Sequence, residues 1–238
     1  YQSADAVVLL DQWSLDIGKS ERKATRQWVV AVLTEKGASQ AALPLVKNQF
    51  NKIRSIKAWN RDARGGVQRY DESDGTLWSA VDSKLFADSE ALVVHAPHPA
   101  PGTVFAVSYE VTYDGSLPQD LFVVQTDIPV ALFRMQARVR SDKSVQVRVG
   151  QAANPGPAQL QGEATWEFRD LPPIAVTADG YAEKPPLVQL AFNYTLNEST
   201  PTADWASLAR WMNDLYQKSS ERGEKFNARD FVTNFGTI

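Results

Sequence analysis

Residues 103–113, TVFAVSYEVTY, alternate apolar and polar side chains along their whole length. Alternation with a period of two is typical of a β-strand that buries one face and exposes the other. The sequence therefore predicts a strand with these side chains in a core: Phe105, Val107, Tyr109 and Val111. Ser108 and Glu110 are predicted to lie on the opposite face.

The same pattern recurs along most of the chain. Further strands are predicted at Trp13–Ile17, Arg26–Thr34, Phe133–Val139 and Val145–Val149, and around Ile53–Trp59, Ala91–His95, Leu121–Thr126, Ala164–Phe168 and Val188–Tyr194. Turn sequences such as Asp114-Gly115 separate these runs. Because no helical pattern lies between the strands to make parallel crossovers, the sequence predicts a mainly β fold, a two-sheet antiparallel β-sandwich.

The C-terminal region has a different period. From Thr202 onward, apolar residues recur at three- and four-residue intervals, the pattern of an amphipathic α-helix: Trp205, Leu208, Trp211, Met212, Leu215 and Tyr216. The sequence thus predicts a β-sandwich domain over residues 1–200 and a C-terminal α-helix with a linker over residues 201–238. An isolated helix of this length is marginal in water, so we favour packing of its apolar stripe on the sandwich.

Composition limits the function classes. The chain has 238 residues, of which 43% are hydrophobic and 22% charged, and its net charge is −3. These values are ordinary for a globular protein and give no electrostatic reason to expect nucleic acid as a partner. The chain has no cysteine, which excludes disulfides, Cys-ligated metals and a Cys nucleophile within it. It also has no apolar run of about 18 residues, so no membrane span is predicted.

Motifs for catalysis or cofactor binding are weak. His95 and His98 are the only two histidines, and the prolines beside them interrupt any helix that could align both rings on a metal. The run Asp71-Glu72-Ser73-Asp74-Gly75 resembles a calcium loop faintly, but a solvated turn is the preferred interpretation. No nucleophile elbow, Walker loop or dinucleotide-binding loop occurs. We therefore predict no catalytic residue, no cofactor and no metal site.

Tryptophan is the one compositional excess, with seven residues. Most of them, such as Trp28 and Trp166, lie in apolar patterns and are interpreted as core. Trp59 and Trp78 lie among charged or small residues, which favours exposure. Since exposed aromatic rings can stack on sugars or anchor a peptide, these two are the candidate contacts to a ligand or partner.

The order of several segments resembles one bacterial family. The segments are Ala4–Asp11, Val32–Gly37, Ile53–Trp59, Pro101–Phe105 running into Tyr109–Val111, Trp166–Phe168, Leu171–Ile174, and Asp204-Trp205 with Trp211. The family is the domain of unknown function found just N-terminal to transglutaminase-like (papain-fold) core domains in exported proteins. The resemblance is strongest over residues 4–174 and rests on patterns of strands and turns.

The resemblance implies a β-sandwich in a periplasmic or extracellular protein. It also implies a non-catalytic accessory role whose partner is the downstream transglutaminase-like domain of the same polypeptide. Residues 201–238 would then lead towards that domain, which is the alternative docking site for the predicted helix. No catalytic residue can be carried over, because such a core needs a Cys nucleophile and this chain has none. Two alternatives stay open: an independent carbohydrate- or peptide-binding module, and a hydrolase whose catalytic acids are unidentified.

Overall fold

A computed structural model describes most of the first 194 residues and a few positions after them. The described residues are 1, 3–18, 21–48, 50–78, 89–114, 119–140, 145–150, 159–175 and 189–194, followed by 206, 209–210, 212–213 and 216–217. The chain divides into two compact units, Tyr1–Tyr194 and Thr195–Ile238.

The first unit is built from β-strands, because most of its sequence alternates apolar and polar residues. The described strands are β1 (Ala6–Ile17), β2 (Glu21–Val32), β3 (Ala42–Asn48), β4 (Asn51–Arg61), β5 (Val67–Asp71), β6 (Thr76–Trp78), β7 (Ser89–His95), β8 (Val104–Asp114), β9 (Gln119–Val123), β10 (Val130–Val139), β11 (Val145–Gly150), β12 (Gln159–Leu160), β13 (Glu163–Leu171) and β14 (Gln189–Tyr194). Short 3-10 turns occupy Glu35–Gln40 and Glu72–Asp74.

The described strands form three sheets. The large sheet has the order β13-β10-β1-β2-β8-β4-β5, the second β12-β11-β14-β9, and the third β3-β7-β6. The mainly β prediction is confirmed, whereas the expectation of two purely antiparallel sheets is wrong. The described strands form three sheets instead of two. In addition, β1 and β10 pair in parallel, with Trp13 opposite Met135. Parallel pairing is possible here because a long stretch of chain connects these two strands.

Strand β8 lies between β2 and β4 in the large sheet, and its side chains alternate as the sequence predicts. The predicted inward set is buried: Phe105, Val107, Tyr109 and Val111. Glu110 is exposed on the other face and Ser108 is half-buried there. A central strand with one apolar face anchors the core.

The three sheets contribute to a single hydrophobic core. Edge-to-face aromatic contacts connect the large sheet to the second one: Trp13 lies 5.0 Å from Phe122 and Trp166 lies 5.6 Å from Phe192, centroid to centroid. Such pairs stabilise by more than their buried area alone. The buried face of the large sheet therefore packs against the second sheet.

In the second unit, the described positions 206, 209–210, 212–213 and 216–217 have helical backbone. Met212 and Tyr216 are exposed. Trp205, Leu208, Trp211 and Leu215 of the predicted apolar stripe lie outside the described residues. The structure describes no continuous helix here, so the C-terminal α-helix is not confirmed. Among the residues described, no helix has the length and apolar character needed to span a membrane.

Candidate functional site

An ion pair between neighbouring strands lies in the interior of the first unit. Arg26 on β2 donates to Asp11 on β1 through both Nε and Nη2, each 2.8 Å from a different carboxylate oxygen. Asp11 is only 4% exposed. Bidentate pairs of this kind are geometrically specific, and a carboxylate buried to this degree needs such a partner.

Aromatic rings enclose this ion pair. Arg26 lies opposite Trp13 on β1 and opposite Tyr109 on β8. Its guanidinium carbon is 4.9 Å from the centroid of the Trp13 ring, within range of a cation–π interaction. Burial alone would lower the pKa of Arg26, but Asp11 and the hydrogen bond with Tyr109 outweigh it and raise that pKa above its ordinary value. The arginine therefore stays charged.

A second buried ion pair connects two sheets. Arg22 on β2 donates through Nε to Asp120 on β9, over 2.8 Å, and its side chain is 3% exposed against 10% for the aspartate. Arg22 lies opposite Tyr113 on β8. We call the six residues Asp11, Arg22, Arg26, Tyr109, Tyr113 and Asp120 the interior polar cluster.

The two tyrosines of the cluster resist ionisation. Burial raises the pKa of Tyr113 above its ordinary value, and the nearby Tyr109 and Asp120 raise it further. Burial also raises the pKa of Tyr109, although the positive charge of Arg26 opposes part of that effect. Both phenols therefore favour the neutral form more in the folded chain than in the unfolded one.

We expect the free energy of unfolding to fall as the pH rises above about 10, the ordinary tyrosine pKa. A raised folded-state pKa stabilises the fold fully below the unfolded pKa, and this stabilisation is lost as the pH rises towards the folded value. Urea unfolding at pH 7 and pH 11 tests this. The double variant Tyr109→Phe, Tyr113→Phe should lose less stability between the two pH values than the unchanged chain. An equal loss in both proteins would contradict the assignment.

The chemistry of the interior polar cluster favours a structural role. Both of its carboxylates lie against guanidinium groups, which do not exchange protons near neutral pH. Removing one member of a buried ion pair is costly, although the pair itself need not add net stability. The cluster is suited to fixing the register of β1, β2 and β8 and to attaching β9 to β2.

The two tryptophans predicted as contacts lie in different sheets. Trp59 on β4 is half-buried, opposite Ala106 on β8 and Arg69 on β5. Trp78 lies on β6, opposite Ala91 of the third sheet, and its side chain is outside the described part. The structure therefore does not bring the two residues together in one sheet, and their role as ligand contacts stays a prediction.

The weak motifs occupy local structures of their own. His95 is exposed at the end of β7 and His98 has a left-handed backbone (φ 46°). In the described part of the chain, no group of three or more His, Cys, Asp or Glu residues is placed to hold a metal. Asp71 caps a 3-10 turn by accepting from the backbone N–H and hydroxyl of Ser73. These contacts lower the pKa of Asp71 and agree with a turn.

A surface groove of about 450 Å³ runs beside the N-terminus. The Tyr1 hydroxyl donates to the carboxylate of Asp170 over 2.5 Å. Asp5 and Asp127 also line the groove, together with Pro172. The carboxylates are engaged locally, since Asp5 accepts from Thr34 and Asp127 accepts from Gln40.

The sequence interpretation did not identify the interior polar cluster. One signal was present: Arg22 and Arg26 occupy the same side of β2 as Ala24, Trp28 and Val30, which are buried. An arginine in register with apolar residues must either reach solvent or find a carboxylate. The sequence does not show which of 28 acidic residues that partner is.

A family model described as "Domain of Unknown Function with solved-structure structure (DUF3857)" matches residues 20–175. The chain belongs to this family. The region that matches the DUF3857 family includes strands β2 to β13 and therefore most of the large sheet. No curated protein matches the chain.

Solved structures resemble the chain at low identity. One is a putative protease from Parabacteroides distasonis ATCC 8503, with a TM-score of 0.65 and 13% identity over 80% of this chain and 40% of that one. Another is an M1 zinc metallopeptidase from Deinococcus radiodurans, with a TM-score of 0.38 and 11% identity over 80% of this chain and 42% of that one. The chain thus spans less than half the length of either protein. The first likeness shows a shared fold.

Proposed function

We propose that this DUF3857 chain is a non-catalytic accessory domain that precedes a transglutaminase-like (papain-fold) core in a longer exported bacterial protein. The observation that carries the proposal is the match to the Parabacteroides protein. The match covers 40% of that chain, and that protein is described as a putative protease. In that protein the same fold is joined to a longer stretch of chain, and this arrangement supports an accessory role for the domain.

The residue chemistry of the chain supports the same role. A papain-like core needs a thiolate activated by a histidine, and the 238 residues contain no cysteine. The charged groups in the interior polar cluster are paired with each other, as expected of a scaffold. Any thiol chemistry would therefore come from a neighbouring domain.

The proposed setting is periplasmic or extracellular, as the family resemblance implies. Fractionation of cells that express the longer protein, with detection by an antibody against residues 1–194, tests the setting. Recovery of the protein only with cytoplasmic markers would contradict it.

The activity test compares the longer polypeptide with the isolated 238-residue chain. We expect the longer polypeptide to show peptidase or transglutaminase turnover that iodoacetamide abolishes, because alkylation removes the thiolate. The isolated chain should show none. A Cys→Ala variant of the core is the matched control, since it removes the nucleophile and leaves this domain unchanged.

Two outcomes would contradict the proposed function. One is a longer polypeptide without a Cys–His–Asp core. The other is glycan or peptide binding by the isolated chain that Trp59→Ala abolishes while the fold is retained. That second result would favour an independent binding module with the half-buried Trp59 as a contact.

A further inference from the structure

The described sheets end in six edge strands, and five of them carry features that discourage pairing with another chain. Exposed sheet edges are usually protected by charge, proline or shortness. Charged side chains lie along β13 and β5, including Glu167, Arg169 and Arg69. Pro44 removes a donor from β3, while β12 has two residues and β6 has three.

Strand β9 differs from the other edges because it carries two exposed large apolar side chains, and its one charged residue, Asp120, is paired with Arg22 in the interior. Leu121 is 55% exposed and Val123 is 46% exposed. They are two residues apart and so lie on the same face of the strand. The strand contains no lysine, arginine or proline. Among the described strands, β14 lies on one side of β9 and none lies on the other.

The inner face of β9 holds the strand in place. Phe122 is buried and packs edge-to-face against Trp13 and Phe192. Asp120 is bound to Arg22 across the two sheets. An edge fixed in this way is preorganised, so a partner strand would lose little free energy in ordering it.

We propose that β9 receives an added strand from the domain that follows in the same polypeptide, with apolar side chains at alternate positions over Leu121 and Val123. The inference rests on the proposed function. Backbone hydrogen bonds to β9 supply part of the binding, and the two apolar side chains set the register of the added strand.

The size of the surface favours a tethered segment over a separate protein or a second copy. A five-residue strand is about 17 Å long. Stable interfaces between separate proteins bury roughly 1,200–2,000 Å², far more than one short strand and two side chains provide. A segment of the same polypeptide has a high effective concentration and needs no such area. The Parabacteroides protein shows that this fold occurs with additional chain, since the match covers 40% of it.

Hydrogen exchange of the β9 amides, measured by mass spectrometry, tests the proposal. We expect amides in residues 119–123 to exchange about tenfold or more slowly in the longer polypeptide than in the isolated 238-residue chain, because an added strand protects them. The double variant Leu121→Ser, Val123→Ser in the longer polypeptide should lose this protection. Val67→Ser is the matched control, since Val67 is an exposed apolar residue on the charged edge strand β5.

The possible failures are distinguishable. A Cys–His–Asp core that follows this chain, combined with unchanged β9 exchange, overturns the added strand and leaves the proposed function standing. A longer polypeptide without such a core overturns both. Protection of β9 in the isolated chain that rises with protein concentration would identify a second copy as the occupant and would also overturn the inference.

Discussion

The variant Asp11→Ala is expected to lower the free energy of unfolding by about 3–5 kcal/mol, the usual cost of removing one member of a buried ion pair. The substitution leaves the guanidinium of Arg26 between Trp13 and Tyr109 without the carboxylate that accepts both of its 2.8 Å hydrogen bonds. The cost comes mainly from this uncompensated charge, because the side chain of Arg26 is only 18% exposed. Urea unfolding followed by tryptophan fluorescence measures the change.

Asp16→Ala is the matched control for this prediction. Asp16 lies on the same strand and is also paired with an arginine, Arg140, whose side chain is 60% exposed. Exposed pairs contribute about 0–1 kcal/mol, so the control should change stability little. The double variant Asp11→Leu, Arg26→Met should recover most of the loss, since it removes both charges. A loss below about 1 kcal/mol for Asp11→Ala would show that Arg26 does not depend on this carboxylate.

Most strands could be predicted from the sequence because their two faces differ. In β8 the alternation runs from Phe105 to Val111, and one register places the apolar set in the core. Strand β10 shows the same property, with Phe133 and Met135 buried. Local sequence is sufficient for this step because burial of one face requires only a period of two.

The order of the strands could not be predicted in the same way. β1 pairs in parallel with β10, although these strands are far apart in sequence, and β3 joins β7 in a separate sheet. Both pairings depend on contacts between distant segments, which leave no local pattern. The prediction of two antiparallel sheets was wrong because it required the pairing of distant strands. The prediction of a mainly β fold does not depend on which strands pair.

The candidate site illustrates the same limit. The sequence predicts exposure for Trp59 and Trp78 because they lie among charged or small residues, and the structure places them in different sheets. The interior polar cluster depends instead on partners far along the chain, since Asp120 is 98 residues from Arg22. Charged residues at inward positions break the rule that strands bury apolar side chains, and only the fold shows how each is paired.

The largest effect in the hydrophobic core is expected for Phe105→Ala. Phe105 is 0% exposed and lies 6.4 Å from Trp28 in an edge-to-face contact. It occupies a central strand between β2 and β4, opposite Val30 and Asn60. Truncation removes a buried ring and leaves a cavity that the rigid sheet cannot fill, so we expect a loss of about 3–5 kcal/mol in the free energy of unfolding.

Glu110→Ala is the matched control, because Glu110 lies on the same strand with its side chain exposed on the opposite face. It should change stability by less than about 0.5 kcal/mol. If Phe105→Ala does not fold, Phe105→Leu tests the burial of this side chain with a smaller cavity. We expect it to lower the free energy of unfolding by about 1 kcal/mol. Equal losses of stability for Phe105→Ala and Glu110→Ala would contradict the burial of only one face of this strand. The alternation over residues 103–113 predicts that the two faces contribute unequally to stability.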